Sequence, residues 1–432
     1  MKIFKSLLPV VVLSLFLNAC GSASNLSLNN SSSSNTVKAL DANSTDLSAE
    51  EKLTRINNAI DFSTSTKTTS DNYNLNVYID GPQAYPALED MILNAKKNVF
   101  VEVFEYHNDA TGKRITDALV KKAKEGVNVK FLYDFIGNSD VNLMNYMSKN
   151  GVHVETYGKE IKIPKVTITH RKIYIIDGVR AMTGGMNIDA NFASGGLYHD
   201  ILMNFEGDAA KDAMNEFFTD WIDSGGKISE DMKSAYDEPI IKTETAEQKY
   251  NMRLAVTNPV GKNKREDIYK MFLAAVDASK IEIKVAMPYF TDDVFVSHLI
   301  SAKNRGVKVT ALIPNKTSIT PVTMVNKLTA NQLIKAGIDV YRGGVKDGSF
   351  NHSKVMTIDG VWSTIGSCNA DYRAFHSNQE LNVAVSSQAF TENLNKIFFD
   401  RFIGEATKGT FENIPWYKKP VYSLLEDFDR FL

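Results

Sequence analysis

Cysteine is nearly absent from this 432-residue chain, with Cys20 and Cys368 the only two. Two thiols exclude a disulfide scaffold, and a modified Cys20 would leave no intrachain bridge at all. An excess of basic charge is missing too: 49 Lys and Arg stand against 51 Asp and Glu, for a formal net charge of -2. That balance argues against a non-specific nucleic-acid binder, and no nucleic-acid partner is expected, although a local basic pocket stays open. Metal-ligand spacing is lacking as well. His107, His153, His199, His298 and His376 show no H-E-x-x-H pairing or carboxylate cluster, and His107 beside Asp109 reads as a loop residue. Neither a metal nor a cofactor is therefore expected. The apolar run Leu7–Leu17 is too short to span a bilayer. What is present, 43% hydrophobic and 23% charged residues, is the composition of an ordinary globular body long enough for two domains or fused halves.

The N-terminus reads as a processing signal. Lys2 and Lys5 precede the apolar run, which closes on Leu17-Asn18-Ala19-Cys20. That ending resembles the bacterial lipobox, which implies cleavage of residues 1–19, lipidation of Cys20, and anchoring on the extracytoplasmic side of a membrane. From there to residue 72 we expect a lipidated N-terminus and flexible tether. Its Ser/Asn-rich part, to about Ser48, has too few large apolar residues to offset the entropy of ordering.

The globular part says one phrase twice. His170-Arg171-Lys172-Ile173-Tyr174-Ile175-Ile176-Asp177-Gly178 returns as His352-Ser353-Lys354-Val355-Met356-Thr357-Ile358-Asp359-Gly360. Each copy is followed by a glycine–asparagine turn, Gly184-Gly185-Met186-Asn187 and Gly366-Ser367-Cys368-Asn369. The surroundings repeat as well. Alternating strands at Leu75–Ile79, Val99–Val103 and Val127–Tyr133 and helices at Pro86–Ala95 and Ile115–Ala123 are echoed in the second half. There the helices are Asp267–Val276 and Val294–Lys303 and the strands Ile281–Val285 and Val307–Leu312. The expected architecture is α/β: two pseudo-symmetric halves (73–230 and 250–432), each a mixed sheet flanked by helices, joined by the polar segment 231–249. Ser423 and Glu426 read as a capping box opening a C-terminal helix with Leu424, Leu425, Phe428 and Phe431 on one face.

His and Lys two apart on a strand share a face, so each half would offer an imidazole and an ammonium to a common cleft, with Ile173, Ile175, Val355 and Thr357 turned toward the body of their own half. Such a pocket suits a phosphodiester: one histidine as nucleophile, the other as acid and base, lysines and the Asn187 and Asn369 amides on the phosphate oxygens. Ser367 is a further donor to substrate or a turn residue. Cys368, within the second turn, reads as a small buried side chain. Lys159, Lys162 and Lys165 could attract anionic headgroups.

Two H-x-K-x-x-x-x-D motifs with these trailing turns resemble the phospholipase D superfamily. Gly81–Leu88, Asp109–Gly112, Pro288-Tyr289-Phe290, Tyr198-His199-Asp200 and Asn369–Arg373 resemble bacterial cardiolipin synthases, over roughly residues 75–405. The resemblance implies His170 as nucleophile, His352 as acid/base, and Glu380 and Asp200 as the carboxylates that orient the imidazoles. Asp177 and Asp359 complete the catalytic motif, although an odd offset from the lysines points them away from the pocket, and in the family they are structural or charge-balancing. The implied partner is a phospholipid membrane, phosphatidylglycerol favoured, and a monomer could complete the site. The segment Pro164–Thr169 lacks the asparagine and arginine that such synthases carry before the first histidine, which leaves the acceptor open. Hydrolysis to phosphatidic acid, a nuclease of the same superfamily, and a silent lipid-binding platform are the alternatives.

Overall fold

The computed structural model describes residues 47–159, 166–239, 248–260, 264–343 and 349–413. The leader, Cys20, most of the Ser/Asn-rich stretch, Lys162, Lys165 and the Ser423–Phe431 segment lie outside the described residues.

The first half contains β1 (Asn72–Ile79), β2 (Asn98–Val103), β3 (Asn128–Asp134), β4 (His153–Tyr157), β5 (Ile173–Ile176), β6 (Arg180–Gly184), β7 (Tyr198–His199) and β8 (Ile201–Gly207). All but β7 form a sheet in the order β1-β8-β6-β5-β2-β3-β4. The second half supplies β9 (Asn251–Asn258), β10 (Glu282–Ala286), β11 (Lys308–Ile313), β12 (Asp339–Arg342), β13 (Phe350–Asn351), β14 (Val355–Ile358), β15 (Trp362–Gly366) and β16 (Glu380–Ser386). Its run β9-β16-β15-β14-β10-β11-β12 repeats the first order strand for strand. Strands β2-β3-β4 and β10-β11-β12 are parallel and the rest antiparallel, so both sheets are mixed, as the repeat predicted. Parallel neighbours need crossovers, and the helices Ala110–Lys124 and Asp293–Asn304 supply equivalent ones. Asp109 and Asp292 cap them, accepting from the N–H groups of Thr111 and Gly112 and of Phe295.

Three cores hold the layers together. Val99, Val101, Tyr174, Ile176 and Met182 pack under the outer helices of the first half, and Ile283, Val285, Met356, Ile358 and Trp362 do the same in the second. Between the sheets lies a shared core in which Ile173, Ile175, Met203 and Phe217 meet Leu254, Val256, Val355, Leu381 and Val383. This reverses one expectation: Ile173, Ile175 and Val355 face the opposite half rather than the body of their own. The strands begin only at Ile173 and Val355, so His170, Lys172, His352 and Lys354 sit just ahead of them, at one end of the shared core.

Two boundaries also differ from the reading of composition. The stretch expected to be tether up to residue 72 holds a helix, Ala49–Ser63, opened by a capping box in which Ser48 and Glu51 bond each other's backbone N–H. Its Ile56 and Ile60 are fully buried against Ile268, Met271 and Phe272, and Arg253 pairs with Asp61. Helical spacing of those isoleucines outweighs the polar composition around them. Similarly, the polar connection 231–249 begins inside the helix Glu230–Asp237, which buries Met232 and Ala235. The helix expected at Pro86–Ala95 is Gly81–Leu93, with Pro82 in its first turn, where no N–H is needed. Among the described residues no helix is long and apolar enough to cross a membrane.

Candidate active site

Each motif begins on an extended segment that is stitched to the opposite half. His170 N–H donates to Gln379 O at 2.9 Å, and Gln379 N–H to Ile168 O at 2.8 Å. In the other copy, β13 pairs in parallel with β7, and His352 N–H donates to His199 O at 2.7 Å. The residues just after those partners are Glu380 and Asp200. The stitching therefore delivers each acid to the other half's histidine: His170 Nδ1 lies 3.0 Å from Glu380 Oε1, and His352 Nδ1 lies 2.8 Å from Asp200 Oδ2. Both acids are fully buried. With Nδ1 committed to a carboxylate, each imidazole presents Nε2 to the pocket. The sequence had placed one acid in each half; the exchange between halves is visible only in the fold.

Arg171, between His170 and Lys172, is wholly buried and ties this junction down. Its guanidinium donates to Asp220 Oδ2 at 2.7 Å and to Glu380 O at 3.3 Å. Asp220 also accepts from Gln379 Nε2 at 3.1 Å. Thr169 donates its hydroxyl to Glu102 and its N–H to Asp134 Oδ2, the latter at 2.8 Å. None of these supports stood out in the sequence, because a charge inside a strand pattern carries no mark of what it will meet.

The lysines are buried beside the histidines. Lys172 Nζ donates to His170 O at 2.7 Å and sits over the Phe104 ring, 5.4 Å from its centre. Lys354 Nζ lies closer to its own imidazole, 2.8 Å from Nδ1 and 3.1 Å from Nε2 of His352. Aromatic rings wall the pair: Phe104 at 5.0 Å from His170, Phe350 and Phe192 at 5.4 and 5.6 Å from His352.

Burial shapes the protonation of the whole cluster. It pulls both imidazoles well below their ordinary value, and the charges of Lys172 and Lys354 push the same way. Burial also lowers Lys172 to about 7 and Lys354 to about 8, and raises Asp200 to about 7 and Glu380 to about 8. These shifts favour neutral imidazoles, the form in which nitrogen is a nucleophile. An incoming phosphodiester anion restores the cationic forms of the lysines around it and of the imidazole that must give up a proton.

The turns behave less uniformly than their repetition suggested. Asn187 and Asn369 are both buried with Oδ1 unpartnered, while Asn187 Nδ2 donates to Glu105 Oε2 at 2.8 Å. Ser367, read as a donor to substrate or a turn residue, gives its hydroxyl to Glu380 Oε2 and accepts from Leu381 N–H at 3.0 Å. Its counterpart, Gly185, has no room for a side chain, because a Cβ there would stand 2.5 Å from Asp200 Oδ1. Cys368 is fully buried, and burial raises its thiol.

Asp177 and Asp359, carried with the catalytic set by the motif, lie at the far ends of β5 and β14. Both have a left-handed backbone, φ 53° in each. Asp177 accepts the N–H groups of Lys96, Lys97 and Asn98, and Asp359 those of Lys280, Ile281 and Glu282. They fasten the starts of β2 and β10 and do not enter the pocket. The odd offset from lysine was the signal. Elsewhere, His107, which the sequence left as a loop residue beside Asp109, comes together with Asp109 and Asp189, their ligand-type atoms within 4.8 Å of one another. Both carboxylates already accept helix-starting N–H groups.

Comparison with known proteins gives a consistent picture. Residues 88–221 and 272–402 match the family model described as cardiolipin synthase, PLD-like domain. Cardiolipin synthase 2 of Staphylococcus epidermidis is 28% identical over 345 residues, 77% of this chain and 68% of that protein. Cardiolipin synthase of Alkalihalophilus pseudofirmus is 28% identical over 381 residues, 85% of this chain and 72% of the relative. The crystal structure of a phosphatidylserine synthase from Haemophilus influenzae superposes with a TM-score of 0.63 at 12% identity, covering 87% of this chain and 97% of that one.

Proposed function

Since the chain belongs to the cardiolipin synthase, phospholipase D-like domain family, we propose that it is a phosphatidyltransferase that breaks and remakes phospholipid phosphodiesters through a phosphohistidine. The observation that carries this is the pair of histidines held by exchanged carboxylates, with two buried lysines beside them. His170 is the nucleophile. Its Nε2 attacks phosphorus while Glu380 holds Nδ1–H, and the bond to the leaving alcohol breaks as that oxygen takes a proton from His352. An acceptor hydroxyl then gives its proton to His352 and its oxygen to phosphorus, and the N–P bond breaks. Lys172 and Lys354 meet the charge on the phosphoryl oxygens. Lys354 at the His352 ring, with Lys172 turned to Phe104, supports this division of roles.

The specific reaction we favour is transfer between two phosphatidylglycerol molecules to give cardiolipin and glycerol. The likeness to cardiolipin synthases of Staphylococcus epidermidis and Alkalihalophilus pseudofirmus supports it. The lipobox-like Leu17–Cys20 supports attachment to the extracytoplasmic side of a membrane. Phosphatidylglycerol vesicles incubated with the protein, and lipids read by mass spectrometry beside His170→Ala and His352→Ala, test the proposal. Cardiolipin from the parent alone is expected. Phosphatidic acid as sole product makes it a hydrolase, and no lipid turnover sinks the reading.

A further inference from the structure

The duplication supplies an internal reference for every pocket residue. Tyr106 bridges Ile188 in the first half as Phe290 bridges Ala370 in the second. Ile188 N–H donates to Glu105 O, and Ala370 N–H to Tyr289 O, at 3.2 and 3.0 Å. Glu105 and Tyr289 therefore occupy the same place in the two halves. Glu105 lies in the field of Lys172, His107 and Lys354, and Tyr289, whose hydroxyl meets that of Ser318 at 3.0 Å, lies in the field of Glu105. At this repeated position the first half bears a carboxyl where the second bears a phenol.

A carboxylate is an unexpected neighbour for a phosphate anion, and it is not consumed by the chemistry above: both histidines have their own acids. What Glu105 does hold is Asn187, whose Nδ2 it accepts at 2.8 Å. That bond turns the amide so that Oδ1 is left buried with no partner, on a residue only 4% exposed. Carboxylate and amide carbonyl together present acceptors and ask for donors. Two ligand chemistries bring donors, hydroxyls and ammonium groups. Burial raises the Glu105 carboxyl, and Lys172, His107 and Lys354 hold it toward the charged form; with those basic groups already about it a further ammonium would be repelled, whereas a hydroxyl brings its hydrogen without charge.

We propose that Glu105 and Asn187 form an alcohol subsite that binds the hydroxyls of a polyol, the glyceryl group entering or leaving at phosphorus, and so sets transfer against hydrolysis. This rests on the phosphohistidine reading and deepens it. With one hydroxyl of the polyol held there, a neighbouring hydroxyl of the same molecule passes its proton to His352 as its oxygen bonds to phosphorus and the His170 N–P bond breaks. Water has a single oxygen and cannot occupy the subsite and attack phosphorus at once, so it gains less from it.

The test uses the whole protein on bis(p-nitrophenyl) phosphate in glycerol solution, where the glyceryl diester and the free monoester report transfer and hydrolysis. A parallel arm uses phosphatidylglycerol vesicles. Glu105→Ala should lower the ratio of transfer to hydrolysis about tenfold, the equivalent of one lost hydrogen bond to charge. Glu105→Gln should recover part of it, and Tyr289→Phe should leave the ratio in place. A ratio unmoved by Glu105→Ala, or moved equally by Tyr289→Phe, overturns the subsite. So does a parent that prefers ethanolamine to glycerol and loses that preference in Glu105→Ala. A parent that transfers to glycerol from the synthetic diester but ignores lipid would refute the lipid function while leaving the subsite standing.

Discussion

The two halves share one strand order and one motif, yet they do not treat their histidines alike. Asp200, reaching across to His352, is short and is admitted by Gly185; Glu380, reaching to His170, is one methylene longer and is steered by Ser367. Lys354 rests on its imidazole and Lys172 does not. Duplication supplies symmetry of position, and these small departures suit the proposed division of labour, in which one nitrogen attacks phosphorus and another carries the proton.

Removing the imidazoles tests that division most severely. His170→Ala should cut transfer by roughly 10⁴-fold or more for any leaving group. His352→Ala should do comparable damage with an alkyl leaving group but recover much of the loss on a p-nitrophenyl diester, whose phenolate leaves without a proton. Equal losses on both substrates in both variants would erase the distinction.

Next in size is the exchange of acids. Asp200→Asn and Glu380→Gln should each lower kcat by about 10²-fold by releasing the opposite imidazole. Their effect on stability has a sign that can be worked out. Glu380 is raised from 4.5 to about 8 on folding, so between those values the folded protein keeps a proton that the unfolded chain has lost. Stability from this group is therefore present at low pH and falls as pH rises through 8. Glu380→Gln removes that decline, and its melting temperature relative to the parent should increase between pH 5 and 9. Lys172, lowered from 10.5 to about 7, works in the opposite direction, adding stability as pH rises from about 7 toward 10.5. A melting difference between Glu380→Gln and the parent that stays flat with pH would show that Glu380 is ionised throughout.

The turn residues give smaller effects. Gly185→Ser drives a Cβ to within 2.5 Å of Asp200 and should cost more than Ser367→Gly, which only frees one carboxylate oxygen, an effect on the order of tenfold in rate. Initial rates and melting curves of the two variants side by side settle the order. Smallest for catalysis is Ile60→Ala in the N-terminal helix. It should destabilise by about 2–5 kcal/mol in a denaturant melt, with the rate of the remaining folded protein unchanged.

Much of this was legible in the sequence because repetition makes weak signals strong. A single H-x-K is common, but two in matching surroundings disclosed the halves, the histidines, the lysines and the family. The odd offset of Asp177 and Asp359 already pointed them out of the cleft. What the sequence hid were relations between segments far apart. Periodicity describes one strand at a time, so it could not tell which sheet face met the other half, nor that Gln379 would pair with His170 and carry Glu380 with it. Glu105 escaped for a related reason: only the equivalence with Tyr289 marks it as out of place. The helix Ala49–Ser63 was obscured by a boundary drawn on composition, when two buried isoleucines four apart decide it.

The exchange of acids also constrains ancestry. Two identical copies of such a half, meeting across a twofold axis, would each lend the other its carboxylate, so the pocket requires a pair from the outset. Joining the copies in one chain keeps that debt mutual. Thereafter neither half can be lost, swapped for a foreign domain or allowed to decay, since each holds the part that makes its neighbour's histidine useful. Divergence is left to the residues around the exchange, which is where Gly185 and Ser367, and Glu105 and Tyr289, have parted.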